Sequence, residues 1–534
     1  MTSAPPADLA IGSFSDVGPW IVDPDQLPWR RDLDRVRRLT RAEVPRLVRR
    51  RRLPPGGRFL RVAADVGVAL GAWYLGDRRR GRSVSRAGLS RRLRGAFERL
   101  GPTYIKLGQI LSSGEGIFPP ELVTEFRLLR DQVAPEDFAT VRRTVEADLG
   151  RPLEEVFSFF AETPVAAASI AQVHAARLTT GEDVVVKVQR PQVADLVRRD
   201  LAAMSWMAPI LVGRIPVAAL ANPPALVQLF AETIVEELDF RLEAENMLDI
   251  ARVLAETDQR AMVVPRPHPT LVTRRVLVME RLDGFSFDDV EGMRAAGIDT
   301  SAVVRAGMVS FLEGAIIHGV FHGDLHGGNL FVQPDGRVAL LDYGITGRLD
   351  TARRLAFLRL LMGGTVNNLT MQLEAMRDLG ALPPDVDVPK LITDLGFDRP
   401  VKDPTTMEPD ELIGEIREFT KALMGYGARM PKELMLFVKD LIFLDGALGK
   451  LAPDVDLFAE ITHVATYLAT RHGERIAGEV GIDPRKERID LEGMKASMGL
   501  TPDVAGITHR ELQERRELIR KRMGEHRRAR RSAR

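Results

Sequence analysis

The chain has 534 residues, of which 45% are hydrophobic and 28% charged, a balance typical of soluble globular proteins. This composition excludes a fully disordered chain and a fibrous repeat, and a chain of this length is expected to form roughly two to four domains. The absence of cysteine excludes disulfides, zinc–thiolate sites, iron–sulfur clusters and cysteine nucleophiles.

The net charge of +1 conceals an uneven distribution of charge along the chain. Residues 1–29 contain four Asp and no Lys or Arg, residues 30–100 contain 22 basic and 6 acidic side chains, and residues 510–534 contain 11 basic and 4 acidic ones. The middle of the chain is therefore strongly acidic. Basic ends on an acidic body favour an anionic partner, with a membrane surface preferred here over nucleic acid.

The first 150 residues are predicted to be helical after a disordered leader. The leader, residues 1–29, is rich in Pro, Ala and Asp, and a basic helical segment follows at 30–94. Residues 95–150 also show helical periodicity, with a break expected at Pro119-Pro120. These features indicate an N-terminal helical extension ahead of the first strands.

Two apolar stretches bear on whether the chain meets a membrane. Residues 62–76 and 201–213 are each too short to span a bilayer and are flanked by charges, so the sequence predicts a cytoplasmic protein. Residues 58–76 are expected to form a helix packed on the body of the protein. The alternative is a helix lying in the membrane interface on the inner face of the cell membrane, with Trp73 and Tyr74 at headgroup depth.

The remainder of the chain alternates between strand-rich and helical segments. Short β-rich runs separated by turn residues occur at 153–190 and 262–282, and a hairpin is expected around Pro334-Asp335-Gly336. Residues 192–255 and most of 351–480 have helical periodicity. A strand-rich unit and a helical unit, with a long helix between strands, indicate an α+β, two-lobed fold.

One segment carries a pattern of polar residues suited to phosphoryl transfer. It has the sequence HGDLHGGN at residues 322–329 and is followed, after the expected hairpin, by Asp342-Tyr343-Gly344. An aspartate such as Asp324 can orient an attacking hydroxyl, while the side-chain oxygens of Asn329 and Asp342 can hold Mg²⁺ against the phosphates of ATP. We therefore predict that Asp324 is catalytic and that Asn329 and Asp342 bind the metal.

Lysine usage identifies two further candidates. The chain contains 11 lysines, and only Lys106 and Lys187 occur in the first 389 residues, where Arg is the ordinary cation. We expect these two positions to require a compact ammonium that a planar guanidinium cannot replace. Lys187 lies in the strand-like run DVVVKVQ, and Lys106 begins the sequence KLGQ.

These motifs resemble those of the protein-kinase-like fold. HGDLHGGN and DYG are similar to its catalytic and metal-binding loops, in the form found in aminoglycoside and choline phosphotransferases and in the UbiB/ADCK atypical kinases. Lys187 resembles the lysine of strand three that contacts ATP phosphates. KLGQ, with Lys106 and Gln109, resembles the KxGQ motif that marks UbiB/ADCK proteins, and the resemblance extends over about residues 95–455.

The resemblance to the UbiB/ADCK family implies roles for further residues. An Ala-rich loop replaces the Gly-rich phosphate loop and consists of Ala166, Ala167, Ala168 and Ser169. The backbone of Glu280 and Leu282 would bind adenine at the hinge, and Glu243 is the implied partner of Lys187. Glu237 and Asp239 match the family's ExD motif, which together with KxGQ is regulatory rather than catalytic.

The resemblance also implies a domain organisation. Residues 151–285 would form the nucleotide-binding N-lobe, 286–455 a largely helical C-lobe with the catalytic and metal loops, and 456–534 a helical, basic C-terminal region. Three histidines have no metal-like spacing and are interpreted as structural hydrogen-bonding groups: His174, His322 and His326.

In function, the resemblance implies an ATP- and Mg²⁺-dependent atypical kinase or ATPase that acts in isoprenoid-quinone or lipid metabolism on a lipid or quinone precursor. Two alternatives stay open. A small-molecule phosphotransferase of the aminoglycoside or choline kinase kind would not need KxGQ or the Ala-rich loop. A pseudokinase scaffold would bind ATP without needing the complete set of catalytic and metal-binding residues.

Overall fold

The computed structural model describes residues 14, 18–49, 52–79, 82–112, 119–129, 134–211, 223–366, 368–396, 426, 428, 431–487, 489–497, 500, 504–515, 517–518 and 521. The chain divides into two compact units. Unit 1 comprises Met1–Ala255, Val263–Asp283 and Leu340–Ile345. Unit 2 comprises Glu256–Met262, Gly284–Ala339 and Thr346–Arg534.

Helices dominate the described residues of both units. Those of unit 1 are α1 Leu33–Leu47, α2 Gly56–Gly76, α3 Arg82–Leu100, α4 Pro102–Ser112, α5 Pro120–Phe126, α6 Phe138–Leu149, α7 Leu153–Val156, α8 Val193–Leu211, α9 Pro223–Ile234 and α10 Phe240–Glu256. Those of unit 2 are α11 Val290–Ala295, α12 Thr300–Glu313, α13 Thr351–Thr365, α14 Leu369–Asp378, α15 Val388–Asp394, α16 Lys432–Leu451, α17 Leu457–Val480 and α18 Leu491–Ser497. Helix α5 begins at Pro120, where the sequence predicted a break.

Most strands lie in the β-rich runs and the hairpin expected from the sequence, whereas three short ones, Phe285–Ser286, Val320–His322 and Thr346–Arg348, were not predicted. The strands are β1 Phe157–Phe160, β2 Ala166–Ala167, β3 Ala171–Leu178, β4 Asp183–Gln189, β5 Met262–Val263, β6 Pro267–Val272, β7 Val276–Glu280, β8 Phe285–Ser286, β9 Val320–His322, β10 Leu330–Val332, β11 Val338–Leu340 and β12 Thr346–Arg348. Unit 1 has a sheet in the order β1–β3–β4–β7–β6, with β2 paired to β3. A second sheet has the order β5–β11–β10–β8, and β9 pairs with β12.

The alternation of side chains along β4 places its lysine. Val184, Val186 and Val188 are buried in a core that includes Val141 and Val145 of α6. Because successive side chains of a strand point to opposite faces, the intervening Lys187 points away from that core. Its neighbours across the sheet are Val173 on β3 and Leu277 on β7.

In unit 2 the predicted catalytic loop connects β9 to β10. The hairpin β10–β11 turns at Gly336, which has a φ of 87° that glycine adopts without strain. This is the hairpin that the sequence predicted around Pro334-Asp335-Gly336, so the loop is held between paired strands at both ends.

The prediction of a disordered leader is wrong for residues 18–29. Two 3₁₀ turns, Pro24–Gln26 and Pro28–Arg30, occupy part of this segment, and Val22 is fully buried. Trp20 donates its indole N–H to the carbonyl oxygen of Pro267 on β6, at 3.1 Å. Trp20 thus packs on the sheet and Val22 is buried, and burial of these two side chains offsets the entropy lost on ordering.

Helix α2 is longer than the apolar stretch 62–76 on which the sequence prediction rested, because it begins at Gly56 directly after Pro54-Pro55. Among the described residues, two helices are long and apolar enough to cross a membrane, α2 and the continuous helix Thr300–His318. Such helices are weak evidence for a span, because core helices of soluble proteins share these properties. Residues 522–534 of the basic tail lie outside the described residues.

Candidate phosphotransfer site

Unit 1 brings together three of the residues predicted from the motifs. The ammonium nitrogen of Lys187 lies 2.7 Å from Oε1 of Glu243, and 3.3 Å from Oδ2 of Asp342. The lysine side chain is 12% exposed and the glutamate 4%. The expected Lys187–Glu243 pair is therefore formed between strand β4 and helix α10, with the D-Y-G aspartate beside it.

The charges around Lys187 keep it protonated. Burial by itself lowers the pKa of a lysine, but the carboxylates of Asp342 and Glu243 outweigh that effect and raise the pKa of Lys187 above its usual range. Lys187 therefore presents a permanent positive charge at physiological pH, as binding of a phosphate requires.

Backbone contacts hold Asp342 in this position. Its Oδ1 accepts the N–H of Gly344 at 2.9 Å, and the side-chain amide of Asn246 on α10 donates to the carbonyl oxygen of Tyr343 at 2.8 Å. Asn246 is one turn after Glu243 on the same helix. One face of α10 thus fixes both the partner of Lys187 and the backbone of the D-Y-G segment.

The KxGQ lysine pairs with the ExD glutamate. Lys106 on α4 lies 3.2 Å from Oε1 of Glu237, and both side chains are 11% exposed. A Cβ atom on Gly344 would lie 3.4 Å from Cγ of Glu237, so this glutamate adjoins the D-Y-G segment.

Asp239, the other acidic residue of the ExD motif, accepts a hydrogen bond from the guanidinium of Arg241 at 2.6 Å. Gln109 lies on the next turn of α4, and its backbone carbonyl oxygen accepts a hydrogen bond from the hydroxyl of Ser112 at 2.7 Å.

We expect Lys106→Ala to alter self-phosphorylation or nucleotide preference without abolishing ATP binding. The substitution leaves the partly buried carboxylate of Glu237 without its ammonium partner. This loosens α4 from the turn Glu236–Leu238, which lies beside the D-Y-G segment. ATP affinity and labelling by γ-labelled ATP would be measured side by side. Arg99→Ala is a suitable control, because its pair with Asp65 is more than half exposed at the arginine. Loss of ATP binding in a folded Lys106→Ala protein would instead make Lys106 part of the nucleotide site.

The Ala-rich loop forms a tight hairpin in unit 1. Ala166 and Ala167 pair with Val173 and Gln172 of β3, and the N–H of Ala168 donates to the carbonyl oxygen of Ala171 at 2.8 Å. Ser169, at the turn, is 2% exposed. The small side chains therefore allow a closed turn at the place where kinases have glycines.

The predicted hinge lies at the end of β7. The N–H of Glu280 donates to the carbonyl oxygen of Arg266 on the neighbouring segment at 2.9 Å, and Arg266 lies 3.6 Å from the buried carboxylate of Glu280. Leu282 is 9% exposed. The adenine contacts assigned to Glu280 and Leu282 stay predictions.

Arginines near the N-terminus bind the helix that carries Glu243 and the 3₁₀ turn Glu236–Leu238 before it, which the sequence did not predict. Arg30 pairs with Glu245 at 2.9 Å, Arg41 with Glu236 at 2.9 Å, and Arg37 donates to the side chain of Asn246 at 3.3 Å. The only signal was the opposite net charge of the two regions, which does not specify partners. Part of the basic segment therefore neutralises acidic side chains of unit 1.

Hydrogen bonds within unit 2 organise the catalytic loop. The N–H of Asp324 donates to Nδ1 of His322 at 3.1 Å, and the amide nitrogen of Asn329 donates to the carbonyl oxygen of Asp324 at 3.1 Å. His326 accepts the N–H of Gly328 at 3.1 Å through Nδ1. These histidines act as hydrogen-bonding groups, as does His174 in unit 1, whose Nδ1 lies 2.7 Å from the carbonyl oxygen of Ala161.

A lysine that the sequence analysis missed contacts Asp324, the aspartate predicted to be catalytic. Lys439 of α16 forms an ion pair with Oδ1 of Asp324. The pairing joins residues 115 positions apart, and lysines are common after residue 389, so neither spacing nor rarity could have identified it.

Comparison with known proteins identifies the family to which this chain is similar. The ABC1 atypical kinase-like domain matches residues 128–375. The chain is 35% identical to an uncharacterized protein of Mycobacterium tuberculosis, Rv0647c, over 67% of this chain and 73% of that protein. It is 33% identical to "Probable protein kinase UbiB" of Vibrio vulnificus, over 69% of each chain. An aarF domain-containing protein kinase of Arabidopsis thaliana is 31% identical over 69% of this chain and 73% of the relative.

These matches confirm the α+β kinase-like fold and the kinase type of chemistry. Relatives of at least 30% identity extend over more than two thirds of both chains. The chain belongs to the UbiB/ADCK family of ABC1 atypical kinases and is a phosphotransfer enzyme of the kinase type.

Proposed function

We propose that this chain is an ATP- and Mg²⁺-dependent atypical kinase or ATPase. Lys187 contacts the phosphates of ATP, and Asp324 accepts the proton of the attacking hydroxyl or water. The observation that carries the proposal is the cluster of Lys187 with Glu243 and Asp342, formed by one of only two lysines in the first 389 residues. A scaffold that does not bind nucleotide would not need such a cluster.

The residues assigned to the metal fit Mg²⁺ in their chemistry. Asp342 offers a carboxylate that is 39% exposed, and Asn329 donates its amide N–H to backbone, which directs its amide oxygen elsewhere. Oxygen donors of this kind are the ligands that Mg²⁺ prefers. When bound, Mg²⁺ would neutralise charge on the ATP phosphates.

Lys187 and Asp324 would have separate roles in the reaction. The ammonium of Lys187, kept charged by Glu243, would orient the phosphates and offset their negative charge. Asp324, fixed by the hydrogen bonds of its loop, would orient the attacking oxygen and take its proton.

The direct test is ATP hydrolysis by the purified protein, with Mg²⁺ and with a chelator in its place. The assay would be repeated with anionic liposomes and with quinone-precursor mimics. Magnesium-dependent turnover that a quinone mimic or lipid increases would support the proposal. Binding of ATP without turnover under all of these conditions would favour the pseudokinase scaffold.

We further propose that the physiological partner is a lipid or quinone precursor. Unit 2 contains a cavity of about 500 Å³ with apolar walls, which include Met308 and Leu312 of α12, Leu361 of α13 and Leu468 of α17. This volume lies in the range of small-molecule sites, and an apolar wall suits a hydrocarbon chain better than an aminoglycoside. Transfer of phosphate to free aminoglycosides or choline would favour the alternative function.

We also propose peripheral association with an anionic membrane through α2. Its exposed apolar and small residues recur at helical spacing: Leu60, Ala64, Gly67, Val68, Gly71 and Leu75. Arg61, beside Leu60, is an exposed cation of the same helix. Leu75 is 86% exposed and Leu60 67%. Of the expected aromatic pair only Tyr74 is exposed, because Trp73 donates its indole N–H to Ser85 at 3.0 Å.

We expect the triple variant Leu60→Ser, Val68→Ser and Leu75→Ser to bind anionic vesicles at least roughly tenfold more weakly than the unmodified protein. Each residue loses apolar area that the bilayer would bury, and tenfold corresponds to about 1.4 kcal/mol. A matched control changes three exposed apolar residues elsewhere in unit 1, Ile21, Leu128 and Phe159, to serine. Equal co-sedimentation of both variants, or no binding at low salt, would contradict the assignment of α2.

A further inference from the structure

Helix α16 contacts the catalytic loop through two consecutive residues. Lys439 forms the ion pair with Asp324, with side chains 17% and 18% exposed. Asp440 is fully buried, and its Oδ1 accepts the N–H of Leu325 at 3.0 Å. One turn of one helix therefore holds both the carboxylate of Asp324 and the backbone of the residue after it.

The two contacts differ in kind. Burial raises the pKa of Asp440 well above its usual range, and its contact with the loop is a hydrogen bond from a backbone N–H. Lys439 instead forms an ion pair with the carboxylate of Asp324. An ion pair with limited exposure is screened less by salt than a surface pair.

Aromatic packing fixes the position of this turn. Phe437, two residues before Lys439, is 2% exposed. Its ring centroid lies 5.1 Å from that of Phe311 on α12, 5.9 Å from Phe321 on β9 and 5.1 Å from Phe357 on α13. Because Phe321 directly precedes His322, the cluster ties α16 to the strand that enters the catalytic loop.

The loop has no cation of its own. Residues 322–329, HGDLHGGN, contain neither Lys nor Arg. Phosphoryl transfer concentrates negative charge beside the acceptor, and a positioned cation there contributes to the rate. A lysine of α16 at Asp324 can supply what the loop sequence lacks.

We propose that Lys439 is a positioning residue of the phosphotransfer site, which holds the carboxylate of Asp324 in the orientation that receives the proton lost by the acceptor. The proposal rests on the proposed function. In the step concerned, the acceptor oxygen forms a bond to the γ-phosphorus. The bond from that phosphorus to the bridging oxygen breaks, its electron pair leaves with ADP, and the acceptor proton passes to the carboxylate of Asp324.

The test compares Lys439→Met, which keeps the length of the side chain and removes its charge, with Lys439→Arg. We expect Lys439→Met to lower kcat by roughly 30-fold while the KM for ATP changes less than about threefold. Lys439→Arg should recover most of the lost rate.

A control on the same helix separates the charge from the fold. Lys450→Met removes an ammonium of α16 that pairs with Asp288, a residue 76% exposed, and should leave kcat unchanged. Equal loss in Lys450→Met, an unchanged or faster kcat in Lys439→Met, or a Lys439→Arg protein that recovers none of the lost rate would overturn the proposal.

A second measurement does not depend on turnover. Acetylation of Lys439 by an amine-reactive reagent, followed by mass spectrometry, should accelerate several-fold in Asp324→Asn, because the ion pair is removed. An unchanged acetylation rate would overturn the contact itself. Absence of ATP hydrolysis in the unmodified protein would instead contradict the proposed function, so the two failures are distinguishable.

Discussion

Asp342→Asn is expected to weaken binding of ATP at least roughly tenfold when Mg²⁺ is present, and far more than Asp324→Asn does. Asp342 is predicted to ligate the metal directly, whereas Asp324 acts on the attacking oxygen. Without Mg²⁺ the ranking of the two variants by ATP affinity should change. Asn in place of Asp342 removes a carboxylate 3.3 Å from Lys187, which frees the lysine for phosphate, so metal-free ATP should bind no worse.

Thermal shift with ATP, in Mg²⁺ and in a chelator, measures both halves of this prediction. Asp324→Asn is the matched control, because it makes the same chemical change in the other predicted active-site carboxylate. It should keep the magnesium-dependent shift and lose turnover. An Asp342→Asn protein whose ATP affinity still rises normally with Mg²⁺ would remove Asp342 from the metal site.

Lys187→Arg should lower ATP hydrolysis at least tenfold, or by about 1.4 kcal/mol of activation free energy, although it preserves the charge. The ammonium lies 2.7 Å from Glu243 and 3.3 Å from Asp342, and its nitrogen is 5.5 Å from the centre of the Phe240 ring. A guanidinium is wider and planar. It cannot occupy this confined position and still point a compact charge at phosphate.

Steady-state hydrolysis and ATP affinity would be measured for Lys187→Arg beside Lys390→Arg, the same change at an exposed lysine of α15. The exposed variant should behave as the unmodified protein. Normal turnover in Lys187→Arg would show that the phosphates are held elsewhere.

The sequence predicted the parts of the site that local patterns encode. The scarcity of lysine identified Lys187 and Lys106, and the structure pairs them with the motif glutamates Glu243 and Glu237. Hydrophobic alternation predicted β4, and the turn residues predicted the hairpin at Gly336. Each of these features depends on a few neighbouring residues, and a motif in the sequence reports them directly.

Features that depend on distant parts of the chain were not predicted. Lys439 reaches Asp324 only because the ring of Phe437 packs among aromatic residues of three other elements. Residues 18–29 are ordered because they contact β6. Arg30 has its partner, Glu245, 215 positions away in the sequence. Composition identified the first segment as a leader, and only tertiary packing reverses that interpretation.

The construction of unit 1 from separated stretches has a consequence for folding. Its last stretch, Leu340–Ile345, supplies the backbone that Asn246 binds from 97 positions away and the carboxylate beside Lys187. Contacts of such high contact order form late and slowly. A nascent chain therefore cannot complete unit 1 until residue 345 has left the ribosome, and a fragment that ends before residue 340 has Lys187 without one of its two carboxylate neighbours.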